Sequence, residues 1–138
     1  MNKLIEQLKR HEGVELKLYR CSAGKLTIGV GRNIQDVGIS EEEAEYLLQN
    51  DIAEARHQLL TAFPWMSDFN DARISAMINF TFNVGIGTVK KFEKALAALK
   101  EKNYDEAANQ MMKSVWAIQV KGRAVEVTEQ IRSGKWPD

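Results

Sequence analysis

The sequence predicts an α+β fold, mainly α-helical, in which a small lobe containing a β-hairpin leads through one long helix into a helical second lobe. Three observations predict it. Apolar and polar residues alternate over Gly13–Arg20 and again over Lys25–Val30, with turn chemistry between them. Ser40 and Glu43 form a capping box that opens a helical pattern lasting to Pro64. Beyond it, apolar residues recur three and four apart in successive stripes.

Taken in order, Leu4, Ile5 and Leu8 lie at helical spacing and Gly13 is a natural helix stop, so a first helix delivers Glu12 at its C-terminal end. In the hairpin, a loop of Ser22, Ala23 and Gly24 sets Cys21 opposite Lys25, Tyr19 opposite Thr27, Leu18 opposite Ile28 and Leu16 opposite Val30. That register gathers the apolar partners on one face. It turns Tyr19, Cys21 and Thr27 to the other, where Glu12 can look across at them. The long helix carries Ala44, Leu47, Leu48, Ile52, Ala55 and Leu59 over about 20 residues, or about 30 Å. Later stripes follow: Ile74, Met77, Ile78 and Phe82; Phe92, Leu96 and Leu99; Ala107, Ala108, Met111, Met112 and Val115. They read as core, and a last helix near Arg123–Arg132 ends at Ser133–Gly134. The expected organisation is a single domain over residues 1–138, with a small lobe at about 13–40, a connecting helix at about 41–62 and a helical lobe at about 63–138. Helix 1–12 is expected to pack on the helical lobe. With no repeat, low-complexity tract or flexible linker, the lobes should share one continuous helix.

At 138 residues and 44% hydrophobic, the chain has enough apolar side chains for a compact core. One cysteine excludes an intramolecular disulfide, and no zinc-ligand pattern is present, so neither a metal nor a cofactor is expected. His57 has no second ligand near it in the helical pattern and is assigned no role. No apolar run approaches the roughly 20 residues of a bilayer span, and no signal-peptide pattern opens the chain. A soluble chain that is not exported by itself is therefore expected. Zero net charge conceals a mild polarity, with 8 basic and 11 acidic residues over 1–69 and 11 basic and 8 acidic over 70–138. A basic second half would favour an anionic cell wall, but charges of this size are normally just a solvated surface, and they are too weak to indicate nucleic acid.

The chemistry concentrates near the hairpin. The negative end of a helix dipole, with partial burial, favours a protonated, hydrogen-donating Glu12, the state that general-acid cleavage of a glycosidic bond needs. The segment HEGVELKLYRCSAGKLTIGVGRN resembles the catalytic stretch of phage-type lysozymes, the endolysins of tailed bacteriophages, whose signature is E-x8-D/C-x5-T. Glu12, Cys21 and Thr27 fill its three places. The resemblance continues through the helix capped by Ser40, the Asn83–Val84–Gly85 bend, Trp116, Gly122–Arg123 and Gly134–Lys135–Trp136.

The resemblance implies a lysozyme-like fold with its cleft between the lobes. It further implies hydrolysis, generally inverting, of the β-1,4 bond between N-acetylmuramic acid and N-acetylglucosamine in bacterial peptidoglycan. Glu12 is then the acid, and Cys21 stands where many members carry a carboxylate that helps activate the attacking water. Thr27 helps hold that water. A thiol is a poorer base, uncharged below roughly pH 8.5. Asn83 matches a cleft-facing amide. Arg123 matches a basic residue able to pair with the acid, and such pairing would oppose protonation of Glu12. Both are expected to bind substrate. Arg32 stands where some relatives carry histidine, with Asp51 as its expected ion-pair partner. The family further implies a monomer acting on peptidoglycan, with no nucleic acid, no membrane insertion, and passage from the host cytoplasm to the periplasm through a separate holin-type pore protein. Two other classes of function compete. One is a silent peptidoglycan-binding relative in which Cys21 marks lost base chemistry. The other is a helical DNA-binding regulator, which zero net charge and the acidic start of the long helix oppose.

Overall fold

A computed structural model describes residues 1–137 and divides the chain into two compact units, Met1–Leu47 and the remainder from Leu48. The first unit opens with α1 (Asn2–Glu12), whose last turn carries Lys9, Arg10 and His11 against the negative end of its dipole. Gly13, at φ 77°, ends the helix by donating its N–H to the Lys9 carbonyl at 2.9 Å. Antiparallel strands β1 (Glu15–Arg20) and β2 (Leu26–Gly29) follow. The Ser22–Gly24 loop closes as expected: Gly24 N–H donates to the Cys21 carbonyl at 2.8 Å and Cys21 N–H to the Lys25 carbonyl at 3.0 Å, with Gly24 at φ 79°.

Tyr19 faces Thr27 and Arg20 faces Leu26 as the turn requires, and the Cys21–Lys25 bond keeps the same register, which departs from expectation only farther from the turn. An irregularity between Glu15 and Tyr19 shifts the ladder so that Gly29 meets Glu15 in place of the Lys17 that the expected register sets there. The Leu16–Val30 pairing is therefore lost, β2 stops at Gly29, and Leu16 is 84% exposed. A short helix that the sequence reading did not foresee, α2 (Ile34–Val37), is capped by the Asn33 side chain, which accepts from Asp36 N–H at 3.1 Å. It braces the second strand: Gln35 Oε1 accepts the Leu26 N–H at 3.1 Å, and Asp36 pairs with Lys25 at 3.3 Å.

The long helix α3 (Glu41–Ala62) begins in the first unit and continues into the second. Its capping box is reciprocal: Ser40 Oγ accepts from Glu43 N–H at 3.1 Å, and Glu43 Oε1 accepts from Ser40 N–H at 2.9 Å. After a 3₁₀ turn at Pro64–Asp68 come α4 (Asp71–Val84), α5 (Ile86–Val89), α6 (Glu93–Lys100), α7 (Tyr104–Met112), α8 (Val115–Val120) and α9 (Gly122–Ser133). Helix α7 packs on α6 and α9, and α4 packs on α9. Leu59, Met66, Met77, Phe80, Leu99, Met111 and Ile131 are fully buried among them, each such side chain gaining about 1.5–3 kcal/mol by leaving water.

Within α4, Ile74, Met77 and Ile78 are core as expected, whereas Phe82 is 44% exposed and Phe80 takes the buried place. Phe80 meets Phe92 and Trp116 edge-on, at ring separations of 4.9 and 4.7 Å. Met112 and Val115 likewise leave the expected stripe and are exposed. Arg73 finishes α9 by donating from Nε to the Ile131 carbonyl at 2.7 Å and from Nη2 to the Arg132 carbonyl at 3.0 Å. Its guanidinium also lies 3.6 Å over the Tyr104 ring. No helix among the described residues is long and apolar enough to cross a membrane.

Candidate active site

The hairpin brings Cys21 and Thr27 together at its turn end. Thr27 is 3% exposed, the one buried residue of the first unit among those described, and its hydroxyl donates to the Lys25 carbonyl at 2.9 Å. Cys21 is half-buried at the other side of the same loop. Backbone N–H groups of Lys25 and then Ala23, followed by the Thr27 hydroxyl, favour its thiolate and hold the thiol below its ordinary pKa. One hydroxyl proton serves one acceptor at a time, so ionising Cys21 offers Thr27 an alternative to the Lys25 carbonyl.

Glu12 reaches the loop that follows β2. The chain leaves β2 through Gly29–Val30–Gly31 and returns at Arg32. Ile28 and Arg32 exchange both backbone hydrogen bonds, at 3.0 and 3.1 Å. Gly31, at φ 69°, lies under the Glu12 carboxyl so closely that a Cβ there would stand 2.7 Å from Oε2. Glycine suits this position by its backbone conformation, and a Cβ here would make the flexible Glu12 carboxyl move aside. Glu12 itself is exposed, so the partial burial expected for it is not found.

Arg32 is paired by Glu43, earlier on the long helix than the expected Asp51. Its Nη1 donates to Glu43 Oε1 at 2.6 Å and to the Gly38 carbonyl at 3.2 Å. The hydrogen bond from Arg32, and next that from the Ser40 backbone, hold Glu43 down to about 2. Sequence reasoning saw Glu43 only as a cap. The need of Arg32 for a carboxylate, assigned from the sequence to Asp51, was the signal for its second role, as the Gly29-x-Gly31 spacing was for the seat beneath Glu12.

In the second unit, Asn83 is exposed in the last turn of α4, with Gly85 at φ 83° ending that helix. Its Oδ1 accepts the Trp116 indole N–H at 2.7 Å. Arg123, also exposed, donates through Nε and Nη2 to Asn79 Oδ1 at 3.0 and 2.7 Å. It lines a concavity of about 380 Å³ with Ile78, Phe82 and Trp136. Trp116 and Asn79 are partners that spacing alone did not reveal. A concavity of about 940 Å³ in the first unit, lined by Leu18, Ile28, Ile39 and Tyr46, includes none of Glu12, Cys21 or Thr27. Gly29, Val30 and Arg32, which flank Gly31, line it as well. Among the described residues, no group of three or more His, Cys, Asp or Glu side chains could hold a metal ion.

The chain is similar to several known proteins. An endolysin of Acyrthosiphon pisum secondary endosymbiont phage 1 is 36% identical over 110 residues, 77% of this chain and 73% of that protein. Probable T4-type lysozyme 1 of Dictyostelium discoideum is 26% identical, over 97% of this chain and 96% of its own length. The pre-baseplate central spike protein Gp5 of Enterobacteria phage T4 is 30% identical over 95% of this chain, which spans only 28% of that larger protein. Residues 9–132, from the end of α1 to the end of α9, match the phage lysozyme family, and the chain belongs to that family.

Proposed function

We propose that this chain is a peptidoglycan-degrading lysozyme that hydrolyses the β-1,4 bond between N-acetylmuramic acid and N-acetylglucosamine. Family membership supports a glycosidase acting on the cell wall. The observation that carries the assignment of roles is that the hairpin sets the Cys21 thiol beside the Thr27 hydroxyl while the loop after it lies under the Glu12 carboxyl. Glu12 protonates the leaving glycosidic oxygen as the bond to the anomeric carbon breaks. Water attacks that carbon from the far face, Thr27 holds it, and Cys21 receives its proton as a thiolate, giving inversion. The lowered thiol pKa supports this, because it enlarges the fraction of Cys21 able to act as a base near neutrality. Asn83 and Arg123 bind the glycan. Action as a monomer on periplasmic peptidoglycan, reached through a separate pore protein, belongs to the same reading.

The test is reducing-end release and turbidity loss with permeabilised Gram-negative cells, with released fragments identified by mass. Glu12→Gln should remove turnover by at least about 100-fold, the scale of a lost general acid, while Cys21→Asp should retain it. Anhydro-sugar ends would exclude hydrolysis. Binding without turnover by the folded native protein, unchanged in Cys21→Asp, would replace the enzyme with a silent peptidoglycan binder.

A further inference from the structure

The loop beneath Glu12 has little to hold it. Gly29 and Gly31 both adopt positive φ, at 74° and 69°, and Val30 between them is 39% exposed. Two glycines lose much backbone freedom on ordering, so a loop of this composition keeps one shape only when its ends are fixed. The reciprocal Ile28 and Arg32 backbone bonds close its base. From that base, the Arg32 side chain reaches an anchor elsewhere in the unit. Its Nη1 bonds both Glu43 Oε1 and the Gly38 carbonyl, and the same Glu43 oxygen accepts the Ser40 N–H. Glu43 lies in the first turn of α3, where the helix dipole favours a carboxylate. The anchor is thus the start of a long helix.

We propose that Arg32 and Glu43 are positioning residues that pin the Gly29–Val30–Gly31 loop to the capped start of α3 and thereby hold the seat of the Glu12 carboxyl. The proposal rests on Glu12 being the general acid. Neither residue touches the reacting atoms; they act through Gly31, over which the Glu12 carboxyl lies, a Cβ on Gly31 falling 2.7 Å from Oε2. Releasing the anchor lets the seat drift, and a misplacement of about 1 Å costs up to about 100-fold in rate. Because the fault is one of aim and not of glycan binding, it should appear in kcat and leave KM nearly unchanged.

The experiment measures kcat and KM on uncross-linked peptidoglycan strands, by reducing-end release, for the native protein, Arg32→Gln, Arg32→Lys, Glu43→Gln and Glu12→Gln, with thermal melts alongside. Arg32→Gln should lower kcat about 10-fold or more with KM within about twofold. Arg32→Lys should recover most of it, since one ammonium can make both contacts now made by one guanidinium nitrogen. Glu43→Gln should follow Arg32→Gln, and it carries the test if Arg32→Gln does not fold. Native kcat in a folded Arg32→Gln or Glu43→Gln protein, or a loss that Arg32→Lys shares in full, overturns the positioning role while an inactive Glu12→Gln leaves the acid in place. An active Glu12→Gln overturns both.

Discussion

The two units are held together in different ways. From Leu48 onward, aliphatic and aromatic side chains from helices α3 to α9 form a continuous buried cluster, with Phe80 between Phe92 and Trp116. In Met1–Leu47, Thr27 is the buried residue among those described, and order comes from hydrogen bonds: the hairpin loop, the Asn33 and Ser40 caps, and the Lys25–Asp36 and Arg32–Glu43 pairs. The unit with little core carries the three groups assigned to chemistry. A packed core tolerates no displaced methylene, whereas a hydrogen-bonded frame can leave a carboxyl and a thiol in contact with water and substrate.

This contrast can be broken most forcefully from the core side. Phe80→Ala should lower unfolding free energy by about 3–5 kcal/mol, read by urea titration; a loss below about 1 kcal/mol would mean that the aromatic trio does not hold the second unit. A smaller effect sharpens the other half. Ser40→Ala removes the cap of α3 and should cost about 1 kcal/mol, with hydrogen exchange accelerated in the first turn of that helix. The smallest is a pH effect. Glu43 is held to about 2 by Arg32 and Ser40, below the unfolded value of about 4.3. The unfolded chain therefore binds the extra proton first as pH falls. The pair's contribution is complete above the unfolded value and is lost as pH drops through about 2. Glu43→Gln should flatten that part of the stability curve, and an unchanged acid limb would show the pair to be energetically idle.

How legible each unit was follows from the same difference. Local rules located what local chemistry determines: the Ser22–Gly24 loop, Tyr19 opposite Thr27, the Ser40 box, and the helix ends at Gly13, Gly85 and Gly134. The Leu16–Val30 pairing failed because a ladder irregularity carries no sequence mark of its own, and one slip reassigns every residue past it. Phe80 was missed for Phe82 because α4 is apolar on several sides, and spacing cannot choose among faces when more than one is hydrophobic. Among the residues proposed for the site, Glu12, Cys21 and Thr27 came from a spacing within one short segment. The anchor of Arg32 and the partners of Asn83 and Arg123 depend on how distant residues meet, which no local pattern encodes.

The hydrogen bond from Trp116 to Asn83 leaves a chemical asymmetry at the surface. An indole can only give a hydrogen, so the oxygen of the Asn83 amide must face the ring and its nitrogen must face away. The amide cannot flip without stranding the indole N–H, and although its oxygen keeps a second lone pair, its outward nitrogen offers only donors. Any glycan group that meets it there must answer as an acceptor. The carbonyl of an acetamido substituent can do so, while the N–H of the same substituent cannot.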